Sequence, residues 1–311
     1  MEFLRFLESL RTPFGDTLMS AATNLGDETV FMLIGMTILW CVHKNWGFRF
    51  LFIGLLGNVI NQFLKALFLV PRPWLMDENF TIVQSAREAA TGYSFPSGHT
   101  QSATAVFGTV AIWARRKWFT IVCAALILLT AFSRMYLGVH TPADVGVSLV
   151  VGALIVVGMT ALFDRIQCNL RAQIITGAVM AAAAFAFVAY LYLVPAREAN
   201  VPVFDEQGLK SAWTMVGTMF GLMLSWWVDK KYTRFEVKAE WWAQILKLTI
   251  GAALIIAARV GLKPLLTSCF GDRPALDAVR YFLMTVVGGA LWPMAFSFIT
   301  KLGKPKQSER P

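Results

Sequence analysis

The sequence is short of charge. Of its 311 residues, 15% are Asp, Glu, Lys or Arg, against about 25% in an average soluble domain. In their place stand 57% hydrophobic residues and a mean hydropathy of +0.58, which points away from a soluble domain and toward a bilayer. Acidic residues are the scarcer sign, 19 against 28 Lys and Arg, for a formal net charge of +9. In a soluble protein that balance would suggest nucleic acid. No basic soluble domain is present, however, and membrane proteins keep excess Lys and Arg in cytoplasmic loops, so no nucleic-acid partner is expected. Cysteine is limited to Cys41, Cys123, Cys168 and Cys269, with no spacing of a metal site or disulfide framework. Cys41 and Cys123 fall inside apolar runs and read as small packing residues. A basic n-region is also missing: Glu2 and Glu8 open the chain, which does not read as a cleaved signal peptide.

What is present in quantity is apolar runs of roughly 18 to 25 residues, the length a membrane helix needs. The expected fold is all-α, a polytopic transmembrane helical bundle. About nine spans are expected, at 29–43, 49–70, 98–115, 118–134, 142–163, 173–194, 211–228, 243–261 and 276–299. Before them, residues 1–25 interleave Phe3, Leu4, Phe6, Leu7 and Leu10 with Glu2, Arg5, Glu8 and Arg11, the pattern of an amphipathic helix lying at the interface. The connecting loops fix an orientation. One alternating set holds Lys44, Arg49, Arg115, Arg116, Lys117, Arg165, Arg171, Lys230, Lys231, Arg234 and Lys238, and ends with Lys301, Lys304, Lys306 and Arg310. The other set has fewer cations, diluted by residues such as Asp77, Glu88, Glu198 and Asp205. Cytoplasmic loops carry the Lys/Arg excess, so the expectation is N-terminus out and C-terminus in. The short loops suggest a plasma (inner) membrane.

Three segments do not resemble ordinary loops. Lys65-Ala-Leu-Phe-Leu-Val-Pro-Arg72-Pro73 leaves the second span, and Tyr93-Ser-Phe-Pro96-Ser97-Gly98-His99 enters the third. Ser133-Arg134-Met-Tyr-Leu-Gly-Val-His140-Thr-Pro-Ala-Asp144 bridges the fourth and fifth. By the span count all three lie on the outer (periplasmic or extracellular) face. Lys65, Arg72 and Arg134 are cations at one membrane depth, and such a cluster repels itself unless an anion is bound. Arg offers a planar fork to phosphate oxygens and Lys a point charge. Ser97 and Gly98 begin a helix, where free N–H groups and the dipole favour an anion. If Pro142 opens the fifth helix, Asp144 can fold back toward His140, fix its tautomer and stabilise its cation. His140 is then a credible nucleophile toward phosphorus, with His99 as general acid. His43 stands apart and reads as an interfacial residue. Asn58, Asn61 and Lys65 share one helix face, as a shelf positioning Lys65 or as helix–helix glue.

With K-x6-RP, PSGH and SR-x5-H-x3-D intact and in order, the chain resembles the type 2 phosphatidic acid phosphatase superfamily over roughly residues 50–160. The resemblance implies a six-helix phosphatase core, here residues 1–165, with residues 166–311 as additional transmembrane helices of unassigned role. It implies that His140 attacks phosphorus, Asp144 orients it and His99 protonates the leaving group. Lys65, Arg72, Ser97, Gly98 and Arg134 would hold the phosphoryl oxygens. The family needs no metal or cofactor, and no loop clusters carboxylates in the way magnesium phosphatases do. The implied activity is hydrolysis of a lipid phosphate or pyrophosphate. The alternatives are a lipid phosphotransferase using the same phosphohistidine, or a phosphatase of a small phosphorylated substrate such as a sugar phosphate. A transporter would place its charges near the midplane, and here they gather at one face. Arg273-Pro274 imitates the end of the first motif without the lysine or a following PSGH, and is taken as coincidence.

Overall fold

The computed structural model describes residues 1–87, 90, 92–193 and 203–300. Expectations resting on Glu88, Arg197, Glu198, Lys301, Lys304, Lys306 and Arg310 lie outside these residues. Among the described residues the secondary structure is helical throughout, with no strand. The helices are α1 (Glu2–Ser9), α2 (Pro13–Thr23), α3 (Glu28–Thr37), α4 (Lys44–Phe68), α5 (Pro73–Met76), α6 (Gly98–Ala114) and α7 (Lys117–Tyr136). They continue with α8 (Pro142–Ile166), α9 (Leu170–Leu193), α10 (Val203–Val228), α11 (Trp241–Phe270), α12 (Leu276–Val286), α13 (Trp292–Met294) and α14 (Phe296–Ile299).

Each expected apolar run is helical, but among the described residues a count of nine spans is not confirmed. Six stretches of these residues are long and apolar enough to cross a bilayer: Lys44–Met76, Lys117–Tyr136, Pro142–Ile166, Leu170–Leu193, Trp241–Phe270 and Leu276–Ile299. A seventh is present if Pro13–Gly26 and Glu28–Val42, bent by 49°, act as one. Helix α6 has only 17 residues and buries Thr100, Gln101, Thr104 and Thr109, so part of its length carries polar groups that face protein. The N-terminal segment also differs from the single helix expected. Thr12 caps a new helix by accepting a hydrogen bond from the Gly15 N–H, and Pro13 occupies its first turn, where its missing N–H costs nothing. In α1 the buried residues are Leu4 and Leu7, as an amphipathic stripe requires.

The chain divides into two compact units. The first comprises Met1–Ile34 and Arg49–Ala212, the second Gly35–Phe48 and Trp213–Pro311. In the first unit α6 lies between α7 and α8 and packs on both, while α1 and α2 pack on α7. Small residues permit close approach of membrane helices: a side chain at Gly152 would run into Thr104. Phe63 of α4 meets Phe187 and Tyr190 of α9 edge to face. The segment after α5 is folded down rather than looped out. Phe80 and Ile82 pack with Leu4, and Val83 donates its N–H to the Leu137 carbonyl at 3.1 Å. In the second unit the α10 backbone at Gly217 approaches the Ala278 backbone so closely that no side chain would fit. Trp40 and Trp292 donate their indole N–H groups to the carbonyls of Gly288 and Lys247, satisfying the polar edge of each ring.

Candidate active site

The three motif segments converge in the first unit. Helix α8 begins at Pro142, with Thr141 as cap: its hydroxyl accepts from the Asp144 N–H, and Asp144 accepts from the Thr141 N–H at 2.7 Å, a reciprocal capping box. That box aims the Asp144 carboxylate back at the preceding loop, where Oδ2 lies 3.4 Å from His140 Nδ1. The other ring nitrogen, Nε2, lies 3.0 Å from Arg72 Nη1. A guanidinium can only donate, so Nε2 is the acceptor, its lone pair directed toward the cations, and Nδ1 carries the hydrogen facing Asp144. Burial, and then the charges of Arg72, Arg134, Lys65 and His99, hold His140 well below its ordinary pKa. Five residues distant in sequence therefore act on one another electrostatically.

The cations are held by uncharged oxygens, Lys65 and Arg72 by carbonyls and Arg134 by a hydroxyl. Lys65 Nζ donates to the Tyr93 carbonyl at 2.7 Å. Arg72 donates from Nε to the Gly92 carbonyl and from Nη1 to the Val139 carbonyl, each at 3.0 Å. Arg134 donates from Nη1 to Thr23 Oγ1 at 2.7 Å, while its buried Nε has no partner among the described residues. Carbonyls and hydroxyls orient a cation without cancelling its charge, so the cluster stays positive. Ser97 caps α6, its hydroxyl accepting from the Thr100 hydroxyl at 3.0 Å and, more weakly, from the Thr100 N–H. Among the described residues a Cβ at Gly98 would meet no atom nearer than Asn61 Oδ1 at 3.7 Å, which leaves room beside the helix start. His99 follows in the first turn, half-buried.

All eight motif residues thus sit in this unit, and several neighbours that the sequence did not mark join them. Ser94 donates to Asp144 Oδ2 at 2.5 Å, with its Oγ 3.5 Å from His140 Nδ1. It lies inside the second segment but carries no signature of its own. Ser148, one turn beyond Asp144, donates to the carbonyls of Ser97 and Asp144 and locks α8 to the PSGH turn. Thr23 has no signal in the sequence at all. Of the two readings of Asn58, Asn61 and Lys65, the shelf is not formed among the described residues. Asn58 is exposed, Asn61 is buried with neither amide atom bonded, and Lys65 is held by Tyr93 instead. His43 and Arg273 are exposed in the second unit.

Comparison with known proteins identifies the family. The PAP2 superfamily profile matches residues 46–168, which hold every residue of the three motifs. A second profile, PAP2 superfamily phosphatase, transmembrane extension, matches residues 213–305. The chain belongs to the PAP2 superfamily. That is the type 2 phosphatidic acid phosphatase superfamily which its motifs resemble. Among relatives of this family, undecaprenyl-diphosphatase BcrC of Bacillus subtilis is 36% identical over 118 residues, 38% of this chain and 56% of that protein. The chain therefore spans little more than half of that relative. Lipid A 4'-phosphatase of Bacteroides thetaiotaomicron is 25% identical over 166 residues, 50% of this chain and 70% of that protein. Phosphatidylglycerophosphatase B of Escherichia coli is 28% identical over 185 residues, 45% of this chain and 71% of that protein. No solved structure matches the chain.

Proposed function

We propose that the protein is a membrane phosphatase that removes phosphate from a lipid phosphate or lipid pyrophosphate through a phosphohistidine on His140. The observation that carries this reading is the orientation of one imidazole: Nδ1 toward the Asp144 carboxylate, Nε2 toward the cations. In the first step the Nε2 lone pair forms an N–P bond as the P–O bond to the leaving group breaks. The ring becomes cationic, and Asp144 stabilises it across Nδ1–H. His99, protonated once the bound phosphate balances the neighbouring cations, gives its proton to the departing oxygen. In the second step His99 takes a proton from water, the hydroxide oxygen bonds to phosphorus, and the N–P bond returns its electron pair to Nε2. The products are the dephosphorylated lipid (or its monophosphate) and inorganic phosphate, and both histidines regain their starting states. Lys65, Arg72, Arg134 and the N–H groups at Ser97–Gly98 stabilise the charge on the equatorial oxygens. Phosphoryl transfer draws most of its acceleration from positioning and from electrostatic stabilisation of this kind. Three buried cations already supply the charge a magnesium ion would bring and would repel one, which supports metal independence. Residues 1–165 carry this chemistry, and the names of the relatives support a lipid as substrate.

Trapping the intermediate tests the reading. Brief incubation with radiolabelled lipid phosphate, quenched in alkali, should leave an acid-labile, alkali-stable label on the chain, and His140→Ala should carry none. Turnover by an unlabelled wild type, or label persisting on His140→Ala, would refute it. Activity should also survive a strong chelator. Abolition by chelation with restoration by magnesium would refute the metal-free site. We further propose that the site faces outward across the plasma membrane. A cysteine placed at Asn200 in a cysteine-free background should react with an impermeant reagent on intact cells, and one at Thr233 should not. The reverse pattern would put the site on the cytoplasmic face.

A further inference from the structure

The first motif begins at Lys65, yet a segment far upstream reaches the same residues. The turn Asn24–Gly26 between α2 and α3 packs on α6, and it lies outside residues 46–168. Thr23, at the end of α2, is buried and accepts the hydrogen bond from Arg134 Nη1. With Nη1 occupied, the edge formed by Nε and Nη2 is the one left to a ligand, and Nε has no partner among the described residues. That edge is one of the two that can grip two oxygens of a phosphate at once. Three residues on, Gly26 is pressed against the first turn of α6. A Cβ there would collide with the His99 carbonyl oxygen and stand only 2.9 Å from the carbonyl carbon and 3.0 Å from the His99 Cβ. Backbone cannot yield as a flexible side chain does, so any larger residue must displace His99. The segment is braced at its far end as well. Arg11 Nε donates to the Tyr136 carbonyl at 2.9 Å, and the Thr12 N–H donates to the Tyr136 hydroxyl at 3.2 Å, tying the start of α2 to the end of the helix that carries Arg134.

We infer that the Thr23–Gly26 turn is a fourth part of the site, in which Thr23 positions Arg134 for the phosphoryl group and Gly26 fixes the placement of His99. The inference rests on the roles proposed above for Arg134 and His99. Neither Thr23 nor Gly26 touches the reacting atoms; each is a positioning residue, and each acts on a different half of the chemistry.

The test uses the full chain in detergent, as wild type, Thr23→Val, Thr23→Ser and Gly26→Ala. Vanadate binding is read by thermal stabilisation and by inhibition, and turnover on an alkyl lipid phosphate is compared with turnover on p-nitrophenyl phosphate. Thr23→Val should weaken vanadate binding about tenfold or more, the effect of losing a hydrogen bond to a charged group. Thr23→Ser, which keeps the hydroxyl, should restore it to within about threefold. Gly26→Ala should lose about 10²-fold on the alkyl substrate, the lower end of general-acid assistance. It should lose far less on the aryl substrate, whose leaving group needs no proton. If Gly26→Ala yields no folded protein, the Thr23 pair decides. Unchanged vanadate binding in Thr23→Val, or equal loss of both substrates in a folded Gly26→Ala, overturns the inference and leaves the phosphatase reading intact. A wild type that binds vanadate but turns over neither substrate overturns the phosphatase reading, and with it the roles on which this inference rests.

Discussion

Buried charge is present in both units and is handled differently in each. In the second unit Lys44 Nζ meets Asp229 at 3.1 Å. Lys247, fully buried, donates to the Val237 carbonyl at 2.9 Å and sits over the Phe296 ring. Asp229 is thus neutralised by Lys44, and Lys247 is the one buried cation of this unit, among the described residues, that is oriented without a carboxylate. In the first unit Lys65, Arg72 and Arg134 are buried beside Asp144, the one buried carboxylate of that unit among the described residues. A charge that is neutralised by its own fold stabilises or specifies structure. A surplus that the fold orients but does not neutralise is ready for an anion. The first unit gathers three such cations around one carboxylate, whereas the second pairs Lys44 with Asp229 and leaves a single lysine so held.

Substitutions should separate the two. The largest effect belongs to His140→Ala, with loss of turnover on the order of 10⁴-fold or more, read as phosphate release, and no change in expression of folded protein. Next, Arg72→Met should cost about 10²–10³-fold in kcat, the scale of one lost donor to the transition state. Its counterpart in the second unit, Asp229→Asn, should leave kcat unchanged and lower stability by about 1–3 kcal/mol, the lower side of the cost of breaking a buried pair because Lys44 is partly exposed. A fall in kcat without a fall in stability for Asp229→Asn would break the comparison. The pH profile sharpens it. His140 is held well below about 6.5, the ordinary histidine value, so it stays neutral and nucleophilic as pH falls through that value. The acid limb of kcat/KM should lie below pH 6.5, and Arg72→Met should move it upward. The sign for folding is parallel. The unfolded chain takes up a proton that the folded site refuses, so the contribution of this group to stability is full above about 6.5 and is lost as pH falls toward the folded value. The smallest effect is expected of Ser94→Ala. It removes one hydroxyl from Asp144, which keeps the Thr141 N–H, and should cost about tenfold in kcat with the acid limb displaced.

The second motif had Ser97-Gly98-His99 at a helix start, and the third had a proline that could open a helix two residues before Asp144. Those patterns were legible because capping chemistry is local: a hydroxyl or carboxylate reaches an N–H within one turn. The same locality made the apolar runs readable as helices. The number of spans was not readable in this way. Helix α6 buries polar residues among neighbouring helices, and α2 with α3 makes a bent pair, neither of which follows from run length. The asparagine shelf failed for a related reason. Helical spacing gives a shared face in principle, but packing exposed Asn58, buried Asn61 and gave Lys65 to a carbonyl 28 residues away.

The sequence by itself determined the membrane class, the helical fold and the eight residues of the motifs, because hydrophobic length and short-range spacing act within a few turns of one chain. The tertiary structure alone decided what those residues meet. It put the Val139 and Gly92 carbonyls on Arg72, the Ser94 hydroxyl on Asp144, and Thr23 on Arg134 across 111 residues. It also decided which nitrogen of His140 faces the cations. Such contacts are fixed by the packing of α2, α6, α7 and α8 together, and no periodicity along the chain encodes them.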